Sequence, residues 1–110
     1  MDTYHIWCNL REGVRDLEFC GYVERYLGAL REQGLIGGHR LTRRKLGLGP
    51  PELGEFHIAI EVKDLAQLDA AFRRVARRDG EVESLHAPVY RSAKDLRFAL
   101  YRDFPGTERE

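Results

Sequence analysis

"LTRRKLGLGPPELGEFHIAIEV", residues 41–62, decides how this chain is read. It passes from a basic cluster through three glycines and two prolines into an alternating apolar segment. A phosphate-gripping loop, a nucleic-acid contact and a hairpin between two strands all compete for it. "GLG" does not open a helix after a strand, and it lacks both the third glycine of a dinucleotide loop and the Lys-Ser/Thr ending of a phosphate loop. Gly47, Gly49, Pro50, Pro51 and Gly54 instead suit a hairpin loop of roughly eight residues with unusual backbone angles. Beyond it, Phe56, Ile58, Ile60 and Val62 take one face of a strand over 55–62, and His57, Ala59 and Glu61 take the other. The loop's functional version is a lid whose Arg43, Arg44 and Lys45 attract an anionic ligand; its plainer version is a dimer-stabilising arm or a solvated loop.

Outward from this hairpin the chain alternates between strand and helix periods. Residues 3–10 place Tyr4, Ile6, Cys8 and Leu10 on one face and His5, Trp7 and Asn9 on the other. Residues 14–33 carry Leu17, Cys20, Val23, Leu27 and Leu30 at helical spacing, with Phe19, Tyr22 and Tyr26 as a flanking stripe, and Gly34 ends that helix. The weakly alternating, half-charged 38–46 reads as an edge strand. Asp64 and Gln67 resemble a capping box that starts a helix through about residue 78, with Leu65, Leu68, Phe72 and Val75 as its buried stripe. Arg73, Arg74, Arg77 and Arg78 crowd its last turns, where cations favour the negative end of the helix dipole. In 81–93, Val82, Leu85 and Val89 suggest a short helix that Pro88 interrupts or restarts. A last strand over 96–101 alternates Leu96, Phe98 and Leu100 with Arg97, Ala99 and Tyr101, and 105–110 reads as a solvated tail.

At 110 residues the chain is read as one domain, 1–110. Lys plus Arg is 18 and Asp plus Glu is 18, so the formal net charge is zero and no nucleic-acid partner is expected. No apolar run approaches the roughly 20 residues of a membrane span, and the N-terminus lacks a signal-peptide pattern. Cys8 and Cys20 read as small buried hydrophobes of a reducing, cytoplasmic environment.

The order β-α-β-β-α-β is the split pattern of α+β ferredoxin-like domains. Right-handed crossovers place both helices on one face of a four-stranded sheet ordered 4-1-3-2, with the first and third strands expected as parallel central neighbours. The uncovered face then carries His5, Trp7, Asn9, His57, Ala59, Glu61, Arg97, Ala99 and Tyr101. A solvated sheet face would be small and polar, whereas this one has an indole at its centre. An even register sets Trp7 between Ala59 and Ala99, large beside small, which is how packed interiors are filled. A second sheet from an identical subunit is the simplest cover.

This element order and half-polar second face resemble the dimeric α+β barrel superfamily. "RLTRRKLGLGPPELGEFHI" (40–58) with "RFALYRDFP" (97–105) is similar to an uncharacterised bacterial family of small proteins of that kind, a resemblance spanning nearly the whole chain. It implies a homodimer enclosing a cavity between the sheets. Relatives in the wider superfamily include cofactor-free monooxygenases of antibiotic biosynthesis, haem-degrading enzymes and pure binding proteins.

Two function classes follow. The first is a cofactor-free oxygenase or isomerase acting on a small aromatic molecule between the sheets. There His57 would move the proton, Asn9 and Arg97 would stabilise an oxyanion, Trp7 and Tyr101 would stack on the substrate, and His5, Glu61 and Arg43 would complete the contacts. The second is a binding or structural dimer without catalysis. His5, His57 and Glu61 match no metal-ligand spacing, and neither metal nor cofactor is expected. RNA-recognition domains share the element order, but Glu55, His57 and Ala59 stand where stacking rings belong.

Overall fold

The computed structural model of the protein describes residues 1–106. Its elements are β1 (Asp2–Leu10), α1 (Asp16–Glu32), β2 (Gly38–Arg43), β3 (Phe56–Val62), α2 (Leu65–Ala76), α3 (Gly80–Ser92) and β4 (Ala93–Arg102). The four strands form one sheet in the order β2-β3-β1-β4. Of the expected tail 105–110, Pro105 is exposed and 107–110 lie outside the described residues.

β1 and β3 are central neighbours, but they pair antiparallel rather than parallel. The reason is topological. The β1–α1–β2 crossover makes β2 run with β1, and the hairpin turns β3 back against β2; inserted between them, β3 must oppose both. The register follows from this direction. Trp7 stands opposite His57 on β3 and Arg97 on β4, while His5, not Trp7, lies between Ala59 and Ala99. At the strand ends the Arg102 guanidinium donates to the buried Asp2 carboxylate at 2.8 Å and holds its pKa below the ordinary value. One extra residue on β4, at Asp95 with φ 56°, makes a bulge opposite Trp7–Asn9.

The inward faces of β1 and β3 build the core as their alternation predicts: Cys8, Phe56, Ile58, Ile60 and Val62 are buried beneath Phe19, Val23, Leu27 and Leu30 of α1. Burial of Cys8 pushes its thiol pKa up to about 11, as befits an inert core thiol. The helix phases differ from expectation. In α1 the buried stripe is Phe19, Val23, Tyr26, Leu27 and Leu30, and Leu17 is 82% exposed. In α2 only Leu68 and Ala71 are buried, while Leu65 and Phe72 are about half exposed, at 50% and 47%. Residues 80–92 form a full third helix that packs chiefly on α1, and Leu96, Phe98 and Leu100 of β4 stay exposed. Pro88 sits inside α3 without ending it. Its cost of roughly 3 kcal/mol is offset by burial of Val82 and Ala87 against α1.

The α2 N-terminus is capped as read: the Asp64 side chain accepts from the Gln67 backbone N–H at 2.9 Å. The 44–55 connection between β2 and β3 is stapled by Arg44, whose guanidinium donates to the carbonyls of Pro50 and Leu53. Gly54 is the tightest point of that loop, because a Cβ there would lie 2.3 Å from the Cys8 carbonyl carbon. Gly54→Ala is therefore expected to destabilise the fold by about 3 kcal/mol in urea denaturation. Gly28→Ala, on an open position of α1 where an added Cβ meets nothing within 4 Å, should instead stabilise it by about 0.5–1 kcal/mol.

Candidate functional site

The outward sheet face gathers four of the sequence-nominated residues. His5 Nδ1 and His57 Nε2 share a hydrogen bond of 2.8 Å, and their rings lie nearly parallel with centroids 5.1 Å apart. The Trp7 indole stacks on His57 at 4.8 Å and on His5 at 5.6 Å, and Tyr101 meets His5 edge-on at 5.2 Å. Antiparallel pairing makes this possible, because it sets His57 directly beside Trp7 and diagonally from His5. His57 Nδ1 faces the Thr42 hydroxyl at 3.4 Å. Burial, and then the nearby His5, push the His57 pKa below 6.5.

The other nominated residues do not join them. Asn9 bridges the loop to the β4 bulge: its Oδ1 accepts from the Glu55 N–H at 2.9 Å and its Nδ2 donates to Asp95 at 3.1 Å. Arg43 donates to Glu55 at 2.6 Å and to Asp16 at 2.9 Å, so its charge is matched within the chain. Asn9 and Arg43 instead line an open groove of about 620 Å³ at the far end of the sheet. Arg97 stands beside Trp7 but turns a guanidinium N–H to the Leu96 carbonyl at 3.0 Å. Glu61 is exposed, four strand positions or about 13 Å from His57. Among the described residues no group of three or more His, Cys, Asp or Glu is placed to hold a metal ion.

A cavity lies on the opposite side, between sheet and helices. It measures about 360 Å³ and is lined by mainly apolar side chains of β1, β3, β4 and all three helices. Tyr4 rises into it between Phe72, edge-on at 5.2 Å, and Phe98, stacked at 6.0 Å. Phe72 and Phe98 are about half exposed and border its mouth, since no helix roofs β4 there. At its α3 end stands His86, a residue that the sequence reading did not nominate. The His86 ring stacks on Tyr26 at 4.5 Å and meets Tyr90 edge-on at 4.8 Å. Burial, then the charge of Arg78, pull its pKa below 6.5, with Glu83 opposing. Its Nδ1 is buried without a hydrogen-bond partner among the described residues. Both nitrogens of an imidazolium are donors, so burial and the missing partner favour the uncharged ring. Glu83 receives the Tyr90 hydroxyl at 2.6 Å and so fixes the ring beside His86. The sequence signal was thin: His86 lies one position past the Val82–Leu85 stripe in a segment expected to break at Pro88.

One antiparallel sheet ordered β2-β3-β1-β4, with its helices on one face, is a ferredoxin-like fold. Solved structures similar to it include At3g17210 from Arabidopsis thaliana, with TM-score 0.74 and 7% identity over 97% of this chain and 99% of that one. SnoaB, a cofactor-independent oxygenase from Streptomyces nogalater, matches with TM-score 0.64 and 16% identity, covering 96% and 95%. A dimeric ferredoxin-like protein of unknown function from Bacteroides fragilis matches with TM-score 0.61 and 12% identity, covering 93% and 95%. At such identities the likeness is one of fold. The chain belongs to DUF6614, a family of unknown function whose model matches residues 1–110. No curated protein matches the sequence significantly. No helix among the described residues is long and apolar enough to cross a membrane.

Both depressed imidazoles make stability depend on pH. The unfolded chain takes up their protons near pH 6.5 while the fold resists, so stability is complete above about 6.5 and is lost as pH falls through the folded pKa values. Urea midpoints at about pH 7.5 and about pH 5.5 should show this loss, and His57→Gln or His86→Gln should each reduce it.

Proposed function

We propose that the chain is a homodimer closed through its outward sheet face, and that it binds a small, mainly apolar organic molecule in the cavity between its own sheet and helices. The observation that carries this reading is the apolar cavity of about 360 Å³ with His86 in its lining. That volume falls at the lower end of ligand pockets. The rings of Tyr4, Phe72 and Phe98 suit a flat aromatic guest. His86 acts as proton acceptor toward an acidic O–H or C–H group of that guest. Oxygenation of an electron-rich aromatic without a cofactor, and isomerisation of an enolisable compound, both begin with such a proton removal. The likeness of fold to SnoaB supports this class of chemistry.

The seam rests on the outward face. Trp7, His5, His57 and Tyr101 make an aromatic surface too large for a sheet left in water, with Ala59 and Ala99 leaving room for an opposing side chain. A second copy about a two-fold axis supplies a matching sheet, and the dimeric relative from Bacteroides fragilis supports this assembly. Free thiols at Cys8 and Cys20 support a reducing compartment, the cytoplasm, and the zero net charge supports no nucleic-acid partner.

A second reading keeps the guest between the two sheets with His57 as base, flanked by Trp7, Tyr101 and His5. The depressed His57 pKa and its bond to His5 favour it. The engagement of Asn9 and Arg43 elsewhere tells against their share in it.

Oxygen uptake and the absorbance change of isomerisation, both followed over a panel of phenolic and enolic compounds, separate the two. On the first reading His86→Ala lowers turnover about a hundredfold or more and His57→Ala leaves it nearly intact; the reverse pattern moves the base to His57. Saturable binding with no turnover across the panel makes the chain a non-catalytic binder. For the seam, sedimentation should find a dimer that Trp7→Arg converts to monomers. A wild-type chain that remains a single subunit at every concentration refutes it.

A further inference from the structure

We infer that the cavity's ligand is an amphipathic anion, an apolar body carrying one anionic oxygen group, and that Arg78 receives that group at the cavity mouth. This rests on the cavity reading above. Among the described side chains that line the cavity, Arg78 is the one that carries a charge at neutral pH. Its neighbours on the same basic run are matched: Arg73 pairs with Asp69 at 2.9 Å, and Arg74 and Arg77 share Asp79 at 2.9 and 3.6 Å. Arg78 makes no ion pair among the described residues; its guanidinium lies over the Tyr90 ring, 4.7 Å from the centroid. Tyr90 is itself held by Glu83, which does not line the cavity although its charge reaches His86 and Tyr26 there, so Arg78 is the charged group that a guest meets directly. The helix-dipole account of the basic run therefore covers Arg73, Arg74 and Arg77 and leaves Arg78 over.

The backbone points the same way. Arg78 follows the α2 C-cap with φ 54°, in the left-handed region where glycine is the ordinary occupant. An arginine at a position that favours glycine places a side chain where the fold alone asks for none. From there its charge reaches His86, adding to burial in lowering that ring's pKa. A carboxylate, sulfonate or ionised phenol set against Arg78 leaves its apolar remainder among Tyr4, Phe72 and Phe98 and within reach of His86.

The test uses two probes with the same rings, anilinonaphthalene sulfonate and its sulfonate-free parent phenylnaphthylamine, in fluorescence titrations of the full chain at low salt. The ratio of sulfonate to parent affinity is expected to fall about fivefold in Arg78→Gly and in Arg78→Gln, with the parent's affinity unchanged. Added salt should erode the same preference in the wild type. Arg78→Gly should melt no lower than wild type, because glycine relieves the left-handed backbone, so the loss cannot be ascribed to misfolding. A ratio that survives both substitutions overturns the anion inference and leaves the cavity reading standing, provided that cavity-filling Ala71→Phe abolishes binding of both probes. Probes that fail to bind, or that bind regardless of Ala71→Phe, overturn both.

Discussion

The antiparallel pairing of β1 with β3, running from Asp2 opposite Val62 to Cys8 opposite Phe56, governs which side chains meet on both faces of the sheet. On the inner face it aligns Tyr4, Ile6 and Cys8 with Ile60, Ile58 and Phe56, giving α1 a continuous apolar floor. On the outer face it sets Trp7 against His57 and brings His5 to the diagonal position, so three flat rings stack and two imidazoles bond. A parallel arrangement at the even register would set His5, not Trp7, directly opposite His57 and leave each residue on its own face. Direction decides which ring stands opposite His57.

The two faces then divide the work. The outer one is aromatic, shallow and internally satisfied, with His57 bonded to His5 and Asn9 and Arg43 spent on the loop and the α1 end. Such a surface is suited to covering by a matching sheet. The inner one is a cavity whose imidazole has a nitrogen without a partner, and whose cation makes no ion pair, among the described residues. A buried polar atom without a partner costs about 1–3 kcal/mol, which a bound molecule is able to return. Satisfied groups hold a fold together, whereas unsatisfied ones beside an opening are available to a guest.

α3 packs chiefly on α1 and lines one end of the cavity. Because the helix continues through Pro88, it carries His86 and Tyr90 to that end. Leu96, Phe98 and Leu100 of β4 stay at 39%, 57% and 49% exposure on the side where the helices lie.

The sequence by itself determined what local periodicity and local chemistry control. Alternation assigned the faces of β1 and β3, the Asp64 and Gln67 pair marked the start of α2, and the glycine-proline run between alternating segments announced the hairpin. Trp7 could be placed outside the helical layer for the same reason, since a strand's period of two leaves no choice once Cys8 and Ile6 face inward. Tertiary structure alone decided strand direction at β1–β3, the survival of α3 through Pro88, the phase of the helix faces, the internal partners of Asn9 and Arg43, and the cavity with His86 and Arg78. Each of these turns on energies between residues far apart in the chain. A proline's cost or a helix's buried stripe is set by what packs against it, and no window of neighbouring residues contains that partner.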